Sequence, residues 1–314
     1  MKMKKAIAAA VSGCLLLTGC GKSESSAEVS SSAPAAEPSG LSMVTLGDSI
    51  SFGYGLNDPT TERYSALLTG MLEQSDNRKW NDYNYALSGD DSTDLIERLQ
   101  TGKALRLPSA DAVVVCIGAN NLLGVLTSYM SDTAKEKGID INTIDSMTDE
   151  ELESLQSDMM EEMRDTETVM KEFDRRIDEN LERLTGDLET IYTLLREKNS
   201  KAEIYFLNVY NPFRGMTDYV IGTEEEMGQA FGDYAQKQLD RCNKIIKDFT
   251  DAHSDLHFVD IAAPFAAADP VPVIGAVSQQ VNGTQDMKYV DPHPNAEGQK
   301  LIAETVFKAM RGDA

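Results

Sequence analysis

LSMVTLGDSISFGYG, residues 41–55, is a short apolar run that stops at Gly47, Asp48 and Ser49 and continues in small, turn-forming residues. Its length and its glycine boundary predict a buried strand leading through a tight turn into a helix. The same form recurs at Tyr83 to Leu87, Ala112 to Ile117 (AVVVCI), Glu203 to Val209 (EIYFLNV) and Leu256 to Ile261 (LHFVDI). Between these runs lie stretches of helical period, among them ERYSALLTGMLEQ, STDLIERLQ and the final NAEGQKLIAETVFKAM. Five apolar strands alternating with helices predict an α/β fold: a five-stranded parallel sheet covered on both faces. In such sheets ligands bind beyond the carboxyl ends of the strands. The polar clusters fall there: GDS after the first strand, SGDDS after the second, GANN after the third and DPHPN before the last helix.

One segment departs from the alternation. Residues 122–200 separate the third and fourth strands, far more than one crossover needs. Phe173, Ile177, Leu181, Leu184, Leu188, Ile191 and Leu195 recur every three or four residues and predict the crossover helix. Residues 122–165 form a helical insertion, with a capping box at Thr148 to Glu151 and a Met-rich part at 147–163. It is either a lid over the third-strand loop or a surface excursion. No internal repeat and no second domain signature is present, so residues 41–314 read as one domain.

The first forty residues stand apart. Lys2, Lys4 and Lys5 precede the apolar run AIAAAVSGCLLL, too short to span a membrane, and residues 1–19 read as an export signal. Leu17-Thr18-Gly19-Cys20 resembles the lipobox of bacterial lipoproteins, which implies cleavage before Cys20 and lipid on that cysteine. Residues 20–40, rich in Ser, Ala, Glu and Pro, read as a flexible tether. The expected place is outside the cytoplasm, anchored to the bacterial membrane through Cys20. The chain carries a formal net charge of −23, and removal of three lysines with the signal makes it −26. A surface this acidic repels nucleic acid, which is excluded as a partner. Cys116 in an apolar strand and Cys242 in a helix read as buried free thiols.

A serine hydroxyl becomes a nucleophile when a base takes its proton, and the resulting anion needs donors aimed at its oxygen. Ser49 therefore requires a histidine. Of three in the chain, His293 in YVDPHPNAEG stands between Pro292 and Pro294, two residues after Asp291 and just before a helix. A carboxylate there suits the third member of a triad. Gly89 offers an unobstructed backbone N–H and Asn120 a side-chain NH2 for an oxyanion. Asp48 fits a turn-shaping role, since neighbours in a strand face opposite ways. His253 and His257 have helical spacing, but LHFVD reads as strand, and no metal site is expected there. The nucleophile elbow GxSxG is absent.

The order of these pieces resembles the SGNH hydrolases, also called the GDSL esterase/lipase family, across nearly all of residues 43–311. The resemblance implies a flavodoxin-like three-layer α/β/α domain and a serine esterase or lipase with no metal or organic cofactor. By motif it implies Ser49 as nucleophile and first oxyanion donor, Gly89 and Asn120 as further oxyanion donors, and His293 as base. Two positions depart from the family pattern. Asn121 follows Asn120 where aspartate is usual. The acid commonly lies three residues before the histidine, where this chain has Val290; either Asp291 or the Val290 carbonyl orients the ring. The expected substrate is a lipid or short-chain acyl ester handled by a monomer. Deacetylation or acyl transfer on cell-envelope carbohydrate, and a non-catalytic envelope-binding lipoprotein, are the alternatives.

Overall fold

Strand β1 (Leu41–Gly47) is buried along all but its first residue. In the computed structural model, which describes residues 39–138, 148, 166–214, 225–281 and 285–312, it pairs on both sides. The other strands of its sheet are β2 (Trp80–Asn84), β3 (Ala112–Cys116), β4 (Glu203–Leu207) and β5 (Leu256–Val259). Their order is β2-β1-β3-β4-β5, and each neighbouring pair is parallel. This is the doubly wound order in which chain direction across the sheet reverses beside β1. Every side chain of β3 is buried, as a strand covered on both faces requires.

Nine helices among the described residues connect and cover the strands: α1 (Ser49–Phe52), α2 (Pro59–Glu62), α3 (Tyr64–Asp76), α4 (Ser92–Gln100), α5 (Ala119–Glu136), α6 (Thr166–Lys198), α7 (Glu225–Ala252), α8 (Ala262–Ala267) and α9 (Ala296–Arg311). One layer is α3 packed on α9; the other is the series α4, α6 and α7, with α5 against α6. The apolar stripe predicted from Phe173 to Leu195 is the buried face of α6, whose 33 residues extend about 50 Å. Helix α4 starts at a capping box in which Asp91 and Asp94 each accept from the other's backbone N–H. Asn295 caps α9 by accepting from the Gly298 N–H at 3.0 Å.

Two boundaries differ from the sequence expectation. The second strand begins at Trp80, three residues before the apolar run, because β2 is an edge strand and needs no continuous apolar face. The run itself still follows β1, with the Tyr85 N–H donating to Thr45 O at 2.8 Å and the Leu87 N–H to Gly47 O at 3.0 Å. The stretch before the last helix, which is not among the five runs read as strands, is antiparallel strand. Strands β6 (Val273–Val281) and β7 (Gln285–Pro294) form a separate two-stranded sheet. Of the capping box expected at Thr148 to Glu151 only Thr148 is among the described residues, and the rest of the Met-rich part of the insertion lies outside them. The signal, Cys20 and nearly all of the tether also lie outside them.

Candidate active site

The turn after β1 presents Ser49 as the first residue of α1. Gly47 has φ +144°, and a Cβ there would come within 2.1 Å of the Cys116 carbonyl oxygen, so only glycine lets β1 run this close to β3. Asp48 then caps α1 by accepting from the Ile50 N–H at 2.9 Å, as its turn-shaping reading requires. Its other oxygen is buried without a hydrogen bond, and burial raises the carboxyl to about 7.

His293 arrives from β7. The ladder pairs Val273 with Pro294 and Gly275 with Asp291, which leaves β7 one residue longer than β6 between those pairs. Such a bulge turns a side chain out of its strand's alternation. Asp291 Oδ1 accepts from both the His293 backbone N–H, at 3.0 Å, and the ring Nδ1–H, at 2.6 Å. With that carboxylate on Nδ1, the neutral ring leaves Nε2 as an acceptor. Nε2 receives the Ser49 Oγ–H at 2.8 Å. The question left open by the D-x-H spacing is answered locally: the partner of Nδ1 is Asp291. Both side chains are largely buried, at 12% exposed for His293 and 8% for Asp291. The Tyr54 ring stands 4.5 Å from the imidazole, centroid to centroid.

Gly89 sits on the loop after β2, and Asn120 in the first turn of α5, which follows β3. Gly89 has φ +87° and is exposed, which suits a backbone N–H that must be approached closely. The Asn120 amide donates to Asp90 O at 2.8 Å, so the two expected donors share one support. Asp90 is in turn held by Arg98, whose Nε donates to its carboxylate at 3.0 Å and whose Nη2 bonds the same oxygen. Asn121, the departure from the family pattern, is fully buried. It accepts from the Ser92 N–H at 3.3 Å and donates to Ser92 Oγ at 2.8 Å. An ionised aspartate makes the first of these bonds and not the second, so the neutral amide fits Ser92 on both sides. Ser92 Oγ donates onward to Asp187 on α6 at 2.6 Å.

A profile of the GDSL-like lipase/acylhydrolase family matches residues 45–301. The chain belongs to that family. It is thereby a serine hydrolase of the ester-acting class, and the resemblance read from its motifs holds. YpmR of Bacillus subtilis, an uncharacterized protein, is 23% identical over 304 residues, which cover 95% of this chain and 92% of YpmR. The fold is similar to that of the lipase Lip_vut3 from a goat rumen metagenome, with TM-score 0.55, 15% identity and coverage of 86% of this chain and 97% of that one. An extracellular lipase from Streptomyces rimosus gives TM-score 0.53, 17% identity and coverage of 87% and 100%.

In this GDSL-family chain an apolar cavity of about 130 Å³ opens beside Ser49, Asn120 and His293. Its walls are Leu122, Leu123, Val125 and Leu126 of α5, Phe173 and Ile177 of α6, and Tyr234 and Leu239 of α7. The start of the expected insertion, residues 122–136, is therefore part of α5 and forms a wall of the site.

Sequence reasoning missed several residues that hold this family's site in place. Gln299 on α9 is buried; it accepts from the Tyr64 N–H at 2.8 Å and donates to Ile50 O at 3.0 Å, tying α9 to α1. The Tyr210 hydroxyl donates to Pro292 O at 2.8 Å, tying the exit of β4 to the His293 strand. No local spacing announces either contact. The β6–β7 hairpin did have a signal, Asn282-Gly283 between two runs of β-forming residues. His253 and His257 do not meet on one helix: His253 follows α7 and its Nδ1 bonds Phe249 O at 2.9 Å, while His257 lies in β5 with Nε2 2.8 Å from Glu203. Among the described residues no group of three or more His, Cys, Asp or Glu side chains is placed to hold a metal. Cys116 and Cys242 are buried free thiols, and burial pushes Cys242 up to about 12.

Proposed function

We propose that the protein hydrolyses lipid or short-chain acyl carboxylic esters by an acyl-enzyme route through Ser49. The observation that carries this reading is the continuous path from Asp291 through His293 to Ser49, with contacts of 2.6 and 2.8 Å. His293 Nε2 takes the Ser49 proton as Oγ bonds to the ester carbonyl carbon, and Asp291 stabilises the imidazolium. The carbonyl oxygen, now anionic, accepts from the Ser49 and Gly89 N–H groups and from the Asn120 amide. Collapse breaks the bond to the leaving oxygen, which takes the proton from His293. Water then attacks the acyl-Ser49 ester with His293 as base, releasing the acid and restoring the serine.

The enzyme works outside the cytoplasm, held to the membrane by lipid on Cys20. This part rests on the basic n-region, the apolar run and the Leu17-Thr18-Gly19-Cys20 quartet. Labelling with a radioactive fatty acid should mark the chain and fail to mark Cys20→Ser; equal labelling of the two removes the anchor.

The activity is tested with p-nitrophenyl esters from acetate to palmitate, using the purified full chain beside Ser49→Ala. Turnover that falls at least about 10⁴-fold in the variant is expected. Turnover that survives Ser49→Ala, or none by the wild type together with no labelling by a serine-directed fluorophosphonate, removes the reading.

A further inference from the structure

We infer that the cavity beside Ser49 is an acyl-chain subsite selecting straight acyl groups of about four to eight carbons over both acetyl and long fatty acyl groups, by comparison with a ~150 Å³ apolar cavity that holds one benzene. This inference rests on the ester-hydrolase reading above and names its substrate.

Three observations converge on it. The first is chemical: the walls are aliphatic and aromatic, and the polar side chains among them already have partners. Tyr234 donates to Asp174 at 2.9 Å, and Gln238 donates to the same oxygen at 3.4 Å. Gln238 Oε1 accepts from Arg241 at 2.7 Å, and the Tyr210 hydroxyl is bonded to Pro292 O at 2.8 Å. A sugar ring placed here would bury hydroxyl groups against groups already satisfied, at a cost that a hydrocarbon chain does not meet. The acetylated-carbohydrate alternative thereby loses ground to acyl esters.

The second is volume. A cavity of about 130 Å³ has room for roughly five or six carbons on the benzene comparison. The open side beside Ser49 allows a somewhat longer chain, whereas most of a palmitoyl chain exceeds this volume.

The third is direction. Asn120, which takes the carbonyl oxygen, begins the helix whose next turns supply Leu122, Leu123, Val125 and Leu126. The leaving oxygen has to lie within reach of His293, on the hairpin side of Ser49. The remaining substituent of the carbonyl carbon, the acyl chain, then points along α5 toward Phe173 and Ile177. Phe173 stacks edge-on against Tyr129 at 5.0 Å, which fixes the position of that part of the wall. Phe173 and Leu126 are accordingly the residues that set acyl length.

The test measures kcat/KM for two ester series with the full chain: p-nitrophenyl esters from acetate through butanoate, hexanoate and octanoate to palmitate, and alkyl acetates in which only the alcohol lengthens. The expected wild-type profile rises by about fourfold per methylene from acetate, peaks between butanoate and octanoate, and falls by palmitate. Leu126→Trp should lower the hexanoate-to-acetate ratio by tenfold or more, and Phe173→Ala should move the peak toward octanoate or beyond. Ser49-dependent turnover with a flat acyl profile overturns the subsite while leaving the esterase standing. So does a length response confined to the alkyl acetates, or two variants that keep the wild-type profile. Absence of turnover and of fluorophosphonate labelling overturns both readings together.

Discussion

Strands β1 and β7 each lead to one half of the Ser49–His293 pair, and they are built in opposite ways. β1 has a parallel neighbour on each side and is buried nearly end to end, so the position of Ser49 is set by the sheet as a whole. β7 has one antiparallel neighbour in a two-stranded ribbon, an arrangement that is marginal by itself. The place of His293 is set instead by discrete bonds: Tyr210 to Pro292, Asn295 to Val273 O at 2.9 Å, and Asp291 to the imidazole. Ser49 is thus held by cooperative packing and His293 by a few polar contacts. The hairpin side should be the more sensitive to a single polar substitution.

Asp291→Asn attacks that side directly. It keeps a similar volume and removes the charge facing imidazolium, and kcat is expected to fall by about 10³ to 10⁴ with little change in KM. A fall of less than threefold would mean that the ribbon alone orients the ring. Asn120→Ala probes the sheet side, where Asn120 is one of three proposed oxyanion donors; its expected loss is about 10² to 10³ in kcat. A loss as large as that of Asp291→Asn would erase the asymmetry.

The smallest effect concerns Asp48, next to the nucleophile, and is read in stability. Its carboxyl is raised to about 7 in the folded chain, against 3.8 as the ordinary value. Between those values the folded state holds a proton that the unfolded state has lost. This contribution is most favourable below pH 4. It declines as pH rises toward 7 and stays at its unfavourable limit above. Asp48→Asn keeps the cap without the ionisation, so the variant should gain stability relative to wild type across that window, on the order of 1 to 3 kcal/mol by pH 8. Urea unfolding at a series of pH values measures the difference; parallel curves for the two proteins would remove the buried ionisation from the account.

The same contrast explains what could be read in advance. Val113, Val114 and Val115 announce a strand by composition alone, and the Phe173 to Leu195 stripe announces a helix by period, because burial of whole faces imposes those patterns. Ser49, Gly89 and Asn120 stood just past strand ends for the same reason. What escaped depends on pairings between distant residues. Asp90 meets Arg98 by the particular path of one loop, Gln299 meets Ile50 across 249 positions of chain, and the β7 bulge rests on the register of one ribbon. The Asp291 question was undecidable from spacing because D-x-H places the two side chains together only where that bulge and the closure onto the His293 N–H occur.

The direction of β1 has a further consequence. Leu41 enters at one end of the strand and Ser49 follows its other end, about 20 Å away at ~3.3 Å per residue. The start of β1 and the Ser49 turn therefore lie at opposite ends of that strand. Grafting to a solid support at Leu41 itself would put the point of attachment a full strand length from the Ser49 turn.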